Sequence, residues 1–222
     1  MPALRAVTGG GRSTRRLSGV TDVPKLILAS ASPARRNLLV AAGIDATVQV
    51  SGVDESTVDS TSAQALCLTL ARLKAEAVAA RLNPAGEALV IGCDSVLDLD
   101  GKILGKPADP DDARHRWYAM RGRTGVLHTG HCVLHIGTGK RAEAVASTTV
   151  HFAEVTDEEI DAYVGTGEPL HVAGAFTLDG RSGPFIESIE GDHSNVIGLS
   201  LPLLRRLLAE LGIRLTDLWT SR

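Results

Sequence analysis

Six polar residues, Arg35, Glu55, Lys74, Asp94, Lys106 and Asp192, fall at expected loop and helix positions between apolar runs. In Val90-Ile91-Gly92-Cys93-Asp94-Ser95-Val96 an apolar run leads to one carboxylate and then resumes, and Gly105-Lys106-Pro107 follows shortly after. Two acids with several cations at strand ends suit metal-assisted chemistry on a polyphosphate. The acids hold a divalent ion and a water, and the cations hold phosphate oxygens.

Each residue also has a plainer reading. Asp94 at the end of a strand is equally a turn carboxylate capping a backbone amide. Asp54-Glu55 is a solvated acidic pair unless Glu55 faces Asp94. Arg35-Arg36 in the first turns of a helix fits an anion site at the helix start, or an exposed basic pair. Arg72 and Lys74, mid-helix, are expected to face solvent. Lys106 sits in a constrained loop that suits a phosphate-reaching lysine or an ordinary surface turn. Gly191-Asp192-His193-Ser194-Asn195 reads as a turn bordering a site. No Walker loop, no Gly-x-Gly-x-x-Gly in a Rossmann context and no Gly-x-Ser-x-Gly elbow occurs. His128 and His131 lack a zinc motif, and a strand would put them on opposite faces.

These groups need elements to position them. Lys25 to Ala29 reads as a short buried strand. Ser30-Ala31-Ser32-Pro33 then turns the chain, with Ser32 as N-cap and Pro33 at the first helical position. That helix should reach about Ala42 and stop at Gly43. A strand near Ala46 to Val50 follows, then a polar loop from Ser51 to Thr61. A long Ala/Leu helix runs from Ser62 to Leu82 and ends at Asn83-Pro84. Ala88 to Cys93 is an apolar strand, and Ser95 to Leu99 and Lys102 to Leu104 form a hairpin about Asp100-Gly101. Asp109-Pro110-Asp111-Asp112 opens the next helix. Two long strands, Val126 to Ile136 and Arg141 to Val155, flank Gly137-Thr138-Gly139. Thr156 to Glu159 is a capping box for a short helix ending at Gly165. Ala175 to Leu178 and Pro184 to Ile189 read as shorter strands, and Ser200 caps a last helix, Leu201 to Leu211. Strands and helices mix without strict βαβ alternation. The pattern predicts an α/β fold with a mixed sheet whose middle is an antiparallel meander, arranged in two lobes.

The 222 residues fit one domain, expected over 24–222, preceded by a flexible tail over 1–23 rich in Gly, Ser, Thr and Arg. The tail lacks the apolar stretch of a secretory signal, and no segment has the apolar length of a membrane span. A formal charge of −3 argues against a nucleic-acid footprint, and 3% aromatic residues leaves little for base stacking. Cys67, Cys93 and Cys132, an odd count without paired spacing, suggest reduced thiols and a cytoplasmic protein.

The order and wording of the motifs carry more than any one of them. Leu28-Ala29-Ser30-Ala31-Ser32-Pro33-Ala34-Arg35 resembles the opening motif of the Maf family of nucleoside triphosphate pyrophosphatases, first named for septum formation. The likeness continues through Asp54-Glu55, Ala71-Arg72-Leu73-Lys74-Ala75, Ile91 to Val96, Gly105-Lys106-Pro107, and Tyr163 to Pro169. It ends with Ala173 to Phe176 and Ile189 to Leu199. The resemblance implies a mixed α/β fold with two lobes around a deep cleft, like inosine triphosphate pyrophosphatases, and a homodimer. It implies cleavage of a nucleoside triphosphate to monophosphate and pyrophosphate with a divalent cation, magnesium or manganese. Asp94 matches the family's proton acceptor and Glu55 the acid that helps bind metal, so both are expected as catalytic residues and metal ligands. Arg35, Lys74 and Lys106 match the phosphate-binding cations. Ser30, Ser95 and Asp179 complete the expected substrate-binding set. The second reading is a nucleotide-binding regulator of cell division with little catalysis.

Three departures bear on substrate. Many members read Ser-Pro-Arg-Arg where this chain has Ser32-Pro33-Ala34-Arg35. Members acting on dTTP and UTP commonly carry Lys where Val172 stands, and Ile-Gln-Gly in place of Leu178-Asp179-Gly180. An acid at 179 looks more like the branch acting on 7-methyl-GTP.

Overall fold

The computed structural model describes residues 24–58, 60, 62–83 and 87–220. The expected tail, 1–23, and Pro84 lie outside the described residues. The molecule is an α/β protein built on a mixed seven-stranded sheet of order β2-β1-β3-β5-β6-β7, with β4 also beside β3. The strands are β1 (Lys25–Leu28), β2 (Ala46–Val48), β3 (Ala88–Leu99), β4 (Lys102–Leu104), β5 (Thr124–His135), β6 (Arg141–Phe152) and β7 (Ile186–Glu190). β1 runs parallel to β2 and β3, whereas β3, β5, β6 and β7 form the antiparallel meander. Among the described residues no helix is long and apolar enough to cross a membrane.

The helices start and stop where local chemistry directs. α1 (Pro33–Ala41) begins at Ser32, whose side chain accepts from the Arg35 amide, and Gly43 (φ 77°) turns the chain after it. α2 (Ala63–Ala79) is capped by Ser62, and α3 (Pro110–Met120) by Asp109 with Pro110 at its first position. α4 (Asp157–Gly165) carries the full Thr156/Glu159 capping box. α6 (Leu201–Glu210) is capped by Ser200.

Alternation along β3 sorts its side chains. Val90 packs toward α2 with Ile27, Ala71, Ala75 and Val78, while Leu89, Ile91 and Cys93 join the core beneath α1 and α6. α2 presses so closely on the sheet that only glycine fits beneath it at two points. A Cβ at Gly92 would lie 2.0 Å from the Ala71 carbonyl oxygen, and one at Gly130 would lie 2.2 Å from that of Cys67. A second core forms around Trp117, which meets Phe152, Tyr163 and Phe185 edge-on at 5.9, 5.6 and 5.7 Å between centroids. Such pairs each contribute about 0.5–1.5 kcal/mol beyond area burial.

Three expectations are corrected. β3 is one strand of 12 residues, not two, so Asp94 lies mid-strand rather than at a strand end. β5 pairs with it from Leu89 to Asp98, which carries the ladder straight past the carboxylate. Ala175 to Leu178 is not a strand. Gly174 and Ala175 have φ of 70° and 60°, and the Ala175 carbonyl accepts from Trp117 Nε1 at 2.8 Å instead of a sheet partner. The segment after Gly191 is not a plain turn. Asp192 caps a short helix, α5 (His193–Ile197), accepting from the Ser194 amide at 2.9 Å.

Candidate active site

β5 fills one edge of β3. On the other edge β1 pairs with Ala88 to Ile91 and β4 with Leu97 to Leu99. Among the described residues Gly92 to Val96 therefore have no strand beside them on that edge, and Asp94 is centred in this interval. A pocket of about 950 Å³ opens here. All eight expected site residues line it: Ser30, Arg35, Glu55, Lys74, Asp94, Ser95, Lys106 and Asp179. Asp192 is not among the lining residues.

Asp94 points to the α2 face, two residues on from Gly92, and meets Lys74. Lys74 Nζ lies 2.5 Å from Asp94 Oδ1 and 2.6 Å from Glu55 Oε1. The side chains of Lys74 and Asp94 are only 10% and 9% exposed, whereas Glu55 is 50% exposed. Lys74 is thus not the solvent-facing residue that its mid-helix place suggested. The close seat of α2 on Gly92 delivers its ammonium to the strand. Glu55 arrives on a 3-10 turn, Glu55–Thr57, whose start is capped by Asp54 through the Ser56 amide at 3.1 Å. Arg81, just past α2, donates to the carbonyls of Val50 and Ser51 and ties down the chain leading to that turn.

The two carboxylates sit in different fields. Burial pushes the Asp94 carboxyl above the usual range, against the pull of the Lys74 and Arg35 charges. Burial also raises Glu55, but the Lys74 hydrogen bond and the charges of Lys74, Lys106 and Arg35 outweigh it and hold Glu55 below its ordinary value. Burial thus dominates at Asp94, and the neighbouring cations dominate at Glu55.

Arg35 closes the gap in the β3 edge. Its Nη1 donates to the Cys93 carbonyl at 2.9 Å and to Ser30 Oγ at 3.1 Å, Nη2 donates to Ser95 Oγ at 3.0 Å, and Nε donates to the Gly198 carbonyl at 2.7 Å. Four of about five guanidinium N–H groups are thereby committed within the protein. Ser95 Oγ lies 2.9 Å from Thr129 Oγ1, which donates to the Asn195 carbonyl. This polar belt separates the two cores of that face. Lys106 is exposed at the pocket, and its loop is held by Arg116, which donates to the carbonyls of Gly105 and Lys106 at 2.6 and 3.3 Å.

Asp179 is exposed on a loop braced from below. Glu168 Oε1 accepts from Thr177 Oγ1 at 2.8 Å, the Arg181 amide at 2.9 Å and Tyr163 Oη at 3.2 Å. Ser182 Oγ adds bonds to Tyr163 Oη and the Thr177 carbonyl. The roles of Glu168, Arg116, Ser182 and Thr129 in holding the site escaped the sequence reading. For Glu168 the Tyr163 to Pro169 motif was a signal, and for Arg116 the i, i+4 spacing from Asp112, to which it is paired at 2.7 Å.

Among the described residues no group of three or more His, Cys, Asp or Glu side chains is placed to hold a metal. The acids that come together at the pocket are Asp94 and Glu55. Both oxygens touch one ammonium, so they lie no more than about 5.1 Å apart. Carboxylate oxygens are the hard ligands that magnesium and manganese prefer, and a shell begun by these two would be completed by substrate phosphates and water.

A mixed α/β sheet with paired acids, lysines and a braced loop about one pocket makes a site suited to an anionic substrate. The chain belongs to the Maf family: the profile of the Maf-like protein family matches residues 25–211. It is 67% identical over 198 residues to the nucleoside triphosphate pyrophosphatase of Salinispora tropica, covering 88% of each chain. The nucleoside triphosphate pyrophosphatase of Streptomyces avermitilis is 62% identical over 205 residues, 91% of this chain and 99% of the relative. That of Streptomyces coelicolor is 63% identical over 195 residues, 88% and 94% respectively.

Proposed function

We propose that the protein is a nucleoside triphosphate pyrophosphatase, cleaving its substrate to nucleoside monophosphate and pyrophosphate. The observation that carries this reading is Asp94 and Glu55 converging on Lys74 in a pocket that also receives Lys106 and Asp179. A regulator that only bound nucleotide would have no need of two acids held on one ammonium.

In this mechanism the triphosphate lies in the cleft between two lobes, with Lys106 and Lys74 neutralising phosphate oxygens. Arg35 offers its remaining N–H and chiefly fixes the Ser30 turn against Cys93 and Ser95. A magnesium or manganese ion held by Asp94 and Glu55 would supply Lewis acidity and charge neutralisation. Asp94 accepts a proton from the attacking water as its oxygen bonds the α-phosphorus. The α–β anhydride bond breaks and pyrophosphate leaves. Positioning and charge complementarity provide most of the acceleration.

Asp179 faces the base in this reading. An ionised carboxylate only accepts hydrogen bonds, so it disfavours the O4 of a pyrimidine and suits the adjacent N1–H and N2 amine of guanine. Guanine-type or modified purine triphosphates are then handled at least as well as dTTP and UTP. A cytoplasmic, homodimeric enzyme completes the proposal. Chromatography of products from a nucleotide panel with magnesium or manganese tests it. Monophosphate with pyrophosphate is expected, and diphosphate with free phosphate would overturn it.

A further inference from the structure

We infer that Lys74 is a resident counter-cation of the Asp94–Glu55 pair, and that the divalent ion gains these carboxylates only as the triphosphate draws the lysine away. This rests on the reading above that the two acids hold the metal. The Lys74 ammonium touches one oxygen of each, at 2.5 and 2.6 Å, in a setting that leaves the lysine almost no exposure. A second cation cannot bridge those same two oxygens while the ammonium stays between them. Metal that takes these two oxygens without nucleotide must therefore part the ammonium from both its partners, and an uncompensated buried charge is strongly unfavourable.

A triphosphate changes the balance. Lys74 lines the same pocket as Lys106 and Asp94, and its four-carbon stem lets the ammonium re-pair with a phosphate oxygen. Arg35 cannot perform this exchange, because its donors are bound to Ser30, Cys93, Ser95 and Gly198. Metal and nucleotide binding become coupled through one side chain, and by linkage each tightens the other by the same factor. The enzyme takes its substrate as the metal–nucleotide complex and holds free metal poorly.

The experiment uses the full chain and reads metal binding, not turnover. Manganese is titrated by electron paramagnetic resonance into wild type, Lys74→Met and Lys74→Met/Asp94→Asn, with and without α,β-methylene GTP. Without nucleotide, wild type should bind manganese at least about tenfold more weakly than Lys74→Met. Equal affinities would overturn the exchange. The double variant should lose the tight site. If it keeps that site, Asp94 is no ligand and the underlying reading fails instead. A second measurement needs no variant to fold. In wild type the Lys74 side-chain ¹⁵N resonance should hold its position on adding magnesium alone and shift once the methylene analogue is added. A shift on millimolar magnesium alone would overturn the proposal.

Discussion

Gly92→Ala is the most direct test of how the site is aligned, because it leaves every chemical group in place. The added methyl would stand 2.0 Å from the Ala71 carbonyl oxygen, 2.8 Å from the Ala75 amide nitrogen and 3.0 Å from Ala75 Cβ. The nearest two are helix backbone and cannot rotate aside. Cβ atoms do not approach other heavy atoms within 3.0 Å, so α2 has to retreat by about 1 Å. Overpacking of this kind costs about 1–3 kcal/mol. Lys74 lies between Ala71 and Ala75, so the same retreat opens its contact with Asp94. A displacement near 1 Å at a reacting centre lowers turnover about 100-fold. The expected variant is folded, loses about 1–3 kcal/mol in urea unfolding and drops about 100-fold in kcat/KM. Gly165→Ala, at the end of α4, is the control. Its methyl would meet nothing within 4 Å, and it should be neutral or gain up to about 1 kcal/mol. Wild-type stability and kcat/KM in Gly92→Ala would refute the claim that the close seat of α2 aligns the site.

Asp94→Asn should lower kcat by about two orders of magnitude or more in a chain that still folds, since it removes the proposed proton acceptor. Near-normal turnover would end that assignment. Asp179→Gln should shift the ratio of kcat/KM for GTP over UTP toward the pyrimidine, and an unmoved ratio would show that Asp179 does not read the base. His131 gives a pH dependence with a definite sign. Its Nδ1 donates to the Thr129 carbonyl at 3.0 Å and its Nε2 accepts from the Ser200 amide at 2.8 Å, so it is buried neutral. Burial pushes it from 6.5 down to about 4. The unfolded chain takes the proton more readily, so this contribution is whole above pH 6.5 and is lost as pH falls toward 4. The loss reaches about 3 kcal/mol. Urea unfolding at pH 7.5 and 4.5 should show it, and His131→Gln should flatten the difference.

What the sequence revealed of the fold was mostly local. Ser32-Pro33, Asp109-Pro110, Thr156 with Glu159, and Ser200 each mark a helix start by satisfying a free amide a few residues away, so a short window suffices. The meander followed from strand length and turn residues. Asp94 misled, because a charge inside an apolar run reads as a strand end. The ammonium that makes it tolerable comes from 20 residues upstream. Lys74 misled for the same reason in reverse. Ala175 to Leu178 looks apolar enough for a strand, but its course is set by Trp117 and by the positive φ of Ala175, which no residue type announces. Residue type singled out Arg35, Glu55, Lys74, Asp94 and Lys106, but their roles came from resemblance to the Maf family, since their meeting depends on how α2 and the β1–α1 segment dock.

The parallel pairing of β1 with β3 also bears on the order in which the chain folds. The β3–β4 hairpin and the β5–β6 pair join neighbours in sequence, whereas Lys25 must find Ala88 with α1, β2 and α2 in between. Loop closure over such a distance is slow relative to hairpin formation. The meander can therefore form before the N-terminal segment docks. Ser30 and Arg35 ride on that segment, while Asp94 and Ser95 wait on β3. Until the two meet, the Cys93 carbonyl lacks its Arg35 donor and the Ser30 turn is missing from the pocket. An intermediate with most of its sheet in place would thus be catalytically silent. In a refolding experiment activity should return with the slowest structural phase, and its appearance alongside the first strands would mean that β1 docks early.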